Sequence, residues 1–332
     1  MEQKQDYDVV SFGMINCDVP LGPVPHDLME HELCRIGRVA MTTGGDAMNV
    51  ACTLGILGAR TAVVGRIGRD AHGELVTRVA ISKGVDTSFI VYDDCEDTST
   101  SYLLFESNGS QHYVSSSLIS ANLSSRDLPN ELLDRCSVLY FGSCFAFEQM
   151  DRGGIADAFQ RAHDRGVLTA MDTSIDVDYP SGNAALEVAD DALRQTDIFI
   201  PSLSEIAFLS GGETDPHKLA SMMKPYGMRI FGVKLGEKGC YLTDFRQELY
   251  ISPFAGVEAR DCTGAGDSFF GAFLRGWTLN WSLEQCGLLA VAVSGMNVTK
   301  IGATNGVPDF QVALAFLRDN EARIERREYS IR

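Results

Sequence analysis

The chain of 332 residues reads as an α/β fold, a parallel sheet with helices on both faces. Three observations predict it. Short β-rich runs alternate with amphipathic helical stretches along most of the length. Two segments, 18–42 and 95–118, break that rhythm and contain no convincing helix. A hydrophobic content of 45% is ordinary for a globular protein with a real core.

Taken in order, strands are expected at 9–15, 61–65, 138–142, 167–172, 198–201 and 230–235. Helices at 47–57, 71–83, 151–164, 184–194 and 216–225 lie between them. Phe269, Phe270, Phe273, Leu274 and Trp277 keep helical spacing, and two further helices follow from 283 onward, divided by a loop over 302–308. Residues 180–183 and 211–214 read as loops, so 1–332 forms a single domain. Within the two irregular segments, 98–105 and 111–115 look like strands with Asn108 and Gly109 as turn residues. They are read as a small β-lid that could close over a substrate and pair with another subunit; ordinary surface hairpins are the alternative.

Composition excludes several classes of function. A formal charge of −17 argues against nucleic-acid or anionic-membrane partners, both of which reward basic patches. The nine cysteines show no C-x-x-C pair and are odd in number, which suits reduced thiols in a cytoplasmic protein. No signal peptide and no apolar run of membrane-spanning length is visible. The six histidines assemble into no serine-histidine-acid set and no zinc spacing.

The richest chemistry lies at Asp261-Cys-Thr-Gly264-Ala265-Gly266-Asp267, where glycines precede an apolar helix. Such a turn lets backbone N–H groups converge at the positive end of a helix dipole and attract an anion. A carboxylate at Asp267 would repel a phosphate unless it takes a proton from the group attacking that phosphate, as a kinase base does. An N-capped helix start is the structural alternative. Gly44-Gly45-Asp46-Ala47-Met48-Asn49 likewise opens a helix, with Asn49 able to donate to and accept from a polyol and Asp46 a candidate cap. Asn16-Cys17-Asp18 follows the first strand, where a carboxylate can hold two neighbouring hydroxyls. Lys234 to Gly239 could let a nucleotide lie against Gly236 and Gly239 while Lys234 reaches phosphate, although a plain hairpin would need no ligand. Glu205 could orient a water on Mg²⁺ or simply begin a helix.

Two of these patterns, in this order, resemble those of the ribokinase-like sugar kinases, the PfkB carbohydrate kinase family. The first is Gly44-Gly45-x-Ala47-x-Asn49-x-Ala51 with Gly58 and Gly68 following, and the second is Asp261-x-Thr263-Gly264-Ala265-Gly266-Asp267 with Gly271-Ala272 downstream. The resemblance covers nearly the whole chain. It implies a Rossmann-like, ribokinase-like domain with a β-lid, ATP and Mg²⁺ as co-substrate and cofactor, and transfer of the γ-phosphoryl group to a hydroxyl of ribose, fructose or a related ketose. It further implies Asp267 as base; Gly264, Ala265 and Gly266 as anion hole; and Asn16, Asp18, Gly44, Gly45 and Asn49 as sugar contacts. Lys234, Gly236, Gly239 and Thr263 would meet the nucleotide, Glu205 would serve the metal, and Asp261 would border a monovalent-cation site such as one for K⁺. A homodimer through the lid is also implied. A nucleoside kinase with Tyr102, Phe105 and Tyr113 stacking on a base, or a catalytically silent sugar sensor, would use the same scaffold. The chain departs from the family pattern at Cys262, at Ser202 before Glu205, and at Asp172-Thr-Ser-Ile-Asp176, where no arginine stands to meet a sugar acid.

Overall fold

The computed structural model describes residues 6–330 apart from 38, 109, 117–118, 120–121, 176–180 and 321–323. Gly109 of the expected turn, the last two residues of the second irregular segment, Asp176 and Pro180 therefore lie outside the described residues. In chain order the strands are β1 (Tyr7–Phe12), β2 (Asn16–Val24), β3 (Thr42–Gly44), β4 (Thr61–Val64), β5 (Arg66–Gly68), β6 (Val85–Asp86), β7 (Val91–Asp93), β8 (Thr100–Glu106), β9 (Gln111–Ser116), β10 (Cys136–Cys144), β11 (Leu168–Thr173), β12 (Ile198–Phe199), β13 (Ile230–Lys234), β14 (Cys240–Thr243), β15 (Gln247–Ile251) and β16 (Arg326–Ser330). The helices are α1 (Asp46–Ile56), α2 (Ala71–Ser82), α3 (Asn130–Leu133), α4 (Ile155–His163), α5 (Asn183–Arg194), α6 (Leu203–Leu209), α7 (Pro216–Met223), α8 (Ala265–Thr278), α9 (Leu283–Asn297) and α10 (Phe310–Asn320).

The main sheet runs β16-β15-β14-β13-β12-β11-β10-β1-β4-β6. From β13 to β6 its pairings are parallel, as the alternating pattern predicts. Beyond β13 it becomes antiparallel, because the 235–239 connection is too short for a crossover helix and can only turn back on itself. The sheet is thus mixed, and the sequence reading missed β15 and β16 on that edge. Helices cover both faces. On one, Phe159 of α4, Leu193 of α5 and Met223 of α7 pack in a core with Phe141, Phe199 and Phe231. On the other, Val50 of α1, Phe270 and Phe273 of α8 and Leu289 of α9 pack with Val138, Tyr140 and Leu242. Central strands buried on both sides read as continuous apolar runs, which is why β1 and β10 were visible in the sequence.

Two boundaries move for local reasons. The expected strand at 9–15 ends at Phe12: Gly13 takes a φ of 144°, and a Cβ there would lie 2.9 Å from the Gly142 carbonyl oxygen. The chain then leaves the main sheet and starts β2 in a second one, ordered β3-β2-β8-β9. Here β2 and β8 pair in parallel, so the two irregular segments form one four-stranded sheet and not two separate hairpins. The helix expected over 151–164 becomes regular only at Ile155, after a π-turn in which Gly153 has a φ of 99°. No helix of the described residues is long and apolar enough to cross a membrane, and all nine cysteines are unpaired.

Candidate active site

The glycine turn begins α8. Gly264 is the N-cap, with a φ of 70°, and its carbonyl accepts the Ser268 N–H at 2.9 Å. A side chain at this position would run into the Ala303 carbonyl, so both conformation and space demand glycine. Ala265 N–H turns back to the Cys262 carbonyl at 3.1 Å, leaving Gly264 and Gly266 as the less committed amides of the expected anion hole. Asp267 is consequently the third residue of the helix rather than its cap. Its Oδ2 accepts a hydrogen bond from Asn49 Nδ2 at 2.8 Å, which joins the two glycine-rich patterns across 218 residues of sequence.

Asn49 is buried in α1, and its Oδ1 has no partner, leaving an acceptor for a ligand. Gly45 caps this helix at a φ of 83°, with Met14 O 2.5 Å from where a Cβ would sit. Asp46, expected as the cap, instead occupies the first helical position and accepts from Ser143 Oγ at 2.6 Å. Gly44 lies against the Asp18 carboxylate, which any Cβ would strike. Asp18 is buried within β2 of the small sheet, not at a main-sheet strand end, and its Oδ1 accepts from Asn16 Nδ2 at 2.8 Å. The same amide donates to Ser101 Oγ at 2.7 Å, so Asn16 orients Asp18 and is itself engaged. Tyr113 on β9 stands by Thr263, Asp261 and Asp18; burial first, and the two carboxylates after it, push its phenol up.

At the carboxyl ends of the parallel strands, Lys234 of β13 makes a buried ion pair with Asp172 of β11. The lysine also reaches the glycine turn, since a Cβ on Gly266 would lie 3.1 Å from its Nζ. Glu205 and Ser202 form a capping box at α6, with Glu205 Oε2 accepting the Ser202 N–H at 2.8 Å. Lys234, Glu205, Asp46, Asp172 and Asp267 line one cleft of about 340 Å³, together with Gly236, Gly239 and Gly266. It adjoins an apolar pocket of about 350 Å³ walled by Phe254, Val257, Val291 and Val298, with Gly236, Gly239 and Ala265 shared between the two. Cys262 borders that pocket and is exposed. The buried Asp261 carboxylate accepts Thr263 N–H at 2.9 Å and Gly302 N–H at 2.8 Å, bracing the turn.

Four carboxylates face one ammonium in this cleft. Burial, and then Asp46, push Asp267 up to about 7, against smaller downward pulls from Asn49 and Lys234. Burial likewise raises Asp18 to about 6, with Asp261 and Asp46 adding to it. Burial also holds the Asp172 carboxyl well above its ordinary range. On Lys234 burial works downward, but Asp172 and Glu205 outweigh it and the ammonium is favoured.

Sequence reasoning located Asp172 only as a departure from a family pattern and Asp46 only as a cap. The available signal was position: Asp172 is next to last on a parallel strand, at the end where ligands bind. Phe254 and Val257 were not found, since nothing in a loop sequence marks them as one wall of a pocket.

The model of the pfkB family carbohydrate kinases matches residues 6–309. The chain is 28% identical over 317 residues to fructokinase-2 of Oryza sativa subsp. japonica, covering 92% of each, and 29% identical over 271 residues to probable fructokinase-5 of Arabidopsis thaliana, covering 80% of this chain and 81% of that one. Among solved structures it resembles a putative ribokinase II from E. coli, with a TM-score of 0.83, 20% identity and coverage of 94% of this chain and 99% of that chain. Arabidopsis thaliana ribokinase complexed with ribose and ATP superimposes with a TM-score of 0.80 at 22% identity and the same coverage. The fold is therefore ribokinase-like. The chain belongs to the pfkB family of carbohydrate kinases and is a phosphotransferase with a sugar hydroxyl as acceptor.

Proposed function

We propose that the protein transfers the γ-phosphoryl group of ATP to a hydroxyl of a small sugar, with fructose the first candidate and ribose or a related ketose next. The observation that carries this reading is the Asn49–Asp267 hydrogen bond, which sets a carboxylate at the head of the glycine turn beside a polyol-type contact set. The curated relatives named above support fructose as acceptor. Asp18, Gly44, Gly45 and Asn49 hold the sugar, with Asn16 keeping Asp18 in place. Asp267 takes the proton of the attacking hydroxyl as its oxygen bonds to phosphorus and the bond to the leaving diphosphate breaks. The amides of Gly264 and Gly266 and the Lys234 ammonium meet the charge on the transferring group, while the Ala265 amide, expected beside them, is held by the Cys262 carbonyl. Gly236 and Gly239 border the nucleotide, whose base fits the apolar pocket; Thr263 lines neither that pocket nor the cleft beside it.

The donor set suits Mg²⁺. Asp46, Asp172 and Glu205 supply carboxylate oxygen in excess of the one lysine, and the buried Thr173 Oγ1 has no partner. Among the described residues no three His, Cys, Asp or Glu side chains converge on an ion, so Glu205 and its neighbours would hold Mg²⁺ through its waters, as that ion prefers. When bound, it neutralises phosphate charge. Asp261 would border a monovalent cation such as K⁺ beside the turn.

The test is turnover of purified protein with ATP and Mg²⁺ on a panel of sugars and nucleosides. Fructose or ribose phosphorylation supports the reading; turnover of adenosine alone would transfer it to a nucleoside kinase, and sugar binding without turnover to a sensor. Because only the carboxylate can take the proton, kcat/KM is expected to rise tenfold per pH unit below about 7 and level above it. A flat profile from about pH 5 to 8 would remove Asp267 as base.

The four-stranded sheet serves as the lid in this reading, and its surface also suggests self-association in a cytoplasmic homodimer. Tyr102 of β8 and its cross-strand partner Val114 of β9 are exposed there, on the face opposite Tyr113. Sedimentation is expected to give a dimer, and Val114→Glu a monomer; a monomeric wild type at micromolar concentration would refute this.

A further inference from the structure

We propose that Asn297 is a positioning residue that holds the glycine turn in its anion-binding conformation by clamping the 302–306 loop against it. The inference rests on the phosphoryl-transfer reading of that turn. Asn297 ends α9 and is buried. Its Nδ2 donates to the Ala303 carbonyl at 2.7 Å, and lies 3.3 Å from Ser268 Oγ and 3.4 Å from the Gly264 carbonyl. Its Oδ1 accepts the Gly306 N–H at 3.0 Å. The partners themselves dictate this orientation, since a carbonyl needs the NH₂ group and an N–H needs the oxygen. One amide therefore reaches the turn, the helix it starts and both ends of the loop.

The loop needs such a clamp. Ala303 O sits where a Cβ of Gly264 would be, and Asn297 O sits where a Cβ of Gly306 would be, so three backbones approach without side chains between them. Asn297 Nδ2 faces both the Gly264 and the Ala303 carbonyl oxygens, so one buried donor serves an acceptor on the turn and one on the loop. Asp261 holds the loop from the other side through Gly302 N–H, and Lys83 Nζ reaches Thr304 Oγ1 at 2.5 Å. Gly264 must keep a φ of 70° for the Gly266 amide and the Asp267 carboxyl to share one point. A loop free to move would let that angle relax, and anion stabilisation falls steeply with small misplacements.

The experiment compares Asn297→Ala with Leu289→Ala, which removes core packing from the same helix. Asn297→Ala is expected to lower kcat by about 10- to 100-fold with KM for sugar and ATP within about threefold, because the lost geometry matters only as charge develops. Leu289→Ala is expected to lower the thermal midpoint at least as far with kcat within about twofold. Asn297→Ser keeps a short donor and should recover part of the rate, while hydrogen exchange of the peptide carrying Ala265 and Gly266 should quicken in both Asn297 variants. If Asn297→Ala does not fold, the serine variant with the exchange measurement decides the question. Wild-type kcat and unchanged exchange in the serine variant, or a parallel fall of kcat and thermal midpoint in Leu289→Ala, would overturn the assignment. Failure of the phosphoryl-transfer reading is distinct: it would appear as wild-type protein that phosphorylates no sugar with ATP and Mg²⁺.

Discussion

Asp267→Asn is expected to lower kcat by about 10²- to 10⁴-fold while sugar binding persists. The amide has nearly the shape of the carboxyl, and its oxygen can still accept from Asn49 Nδ2, so the sugar side of the site keeps its geometry. What disappears is a group able to carry a proton away from the attacking hydroxyl. The substitution should also stabilise the fold at alkaline pH. Burial and Asp46 raise the folded-state pKa of Asp267 to about 7, above its unfolded value, so the folded protein binds the extra proton between those two limits. The cost of the charged form is absent below the unfolded value, grows as pH rises, and is complete above about 7. Asp267→Asn should therefore raise the thermal midpoint at about pH 8 and leave it unchanged at about pH 4. Steady-state kinetics and thermal melts with sugar check both parts. Wild-type turnover would show that the base lies elsewhere.

The second large effect is expected from Lys234→Met, on stability and activity together. Lys234 and Asp172 are a nearly dry ion pair, with side chains 12% and 4% exposed. Removing one partner strands the other charge in the interior, which typically costs about 3–5 kcal/mol. The stranded group can escape by taking a proton. Asp172 is already shifted upward by burial, and without its ammonium it moves further in the same direction. Its folded-state pKa, already above the unfolded one in the wild type, lies further above it in the variant, so the added penalty is largest at neutral and alkaline pH and shrinks as pH falls. Denaturant melts of the variant against wild type across that range give the comparison. A loss that stays constant with pH would mean the damage is to packing rather than to charge. Activity should fall with it even where the variant is folded, since the Nζ beside Gly266 is the only cation lining the cleft among the described residues. Double substitution with Asp172→Asn should return stability and leave activity low.

The parallel strands, the helices between them and the two glycine-rich patterns were legible because each rests on local chemistry. β10 is a run of apolar residues buried on both sides, and α8 repeats its aromatics at helical spacing. The antiparallel edge was not legible. β14 follows β13 after a turn of a few residues, and β16 arrives from the far end of the chain to pair with β15, so its existence depends on a partner and not on its own pattern. Asp18 shows the same limit within the site. Its sequence position after an apolar strand suggested a strand end, whereas Gly13 turns the chain out of the main sheet and Asp18 lies on the small one.

By itself the sequence determined the class of fold and the chemical type of the site: glycines where backbone must approach an anion, and a carboxylate and an amide at the heads of two helices. Only the tertiary structure decided which of these groups act together. Asn49 meets Asp267 because α1 and α8 pack on the same face of the sheet; Lys234 meets Asp172 because β13 and β11 end at the same level on either side of β12; Asn297 meets Gly264 because α9 returns beside α8. Local preference is written along the chain at spacings of two to four residues. Contacts across about 30 to 220 residues are set by how layers of sheet and helix bury their apolar faces, and no local pattern records that distance.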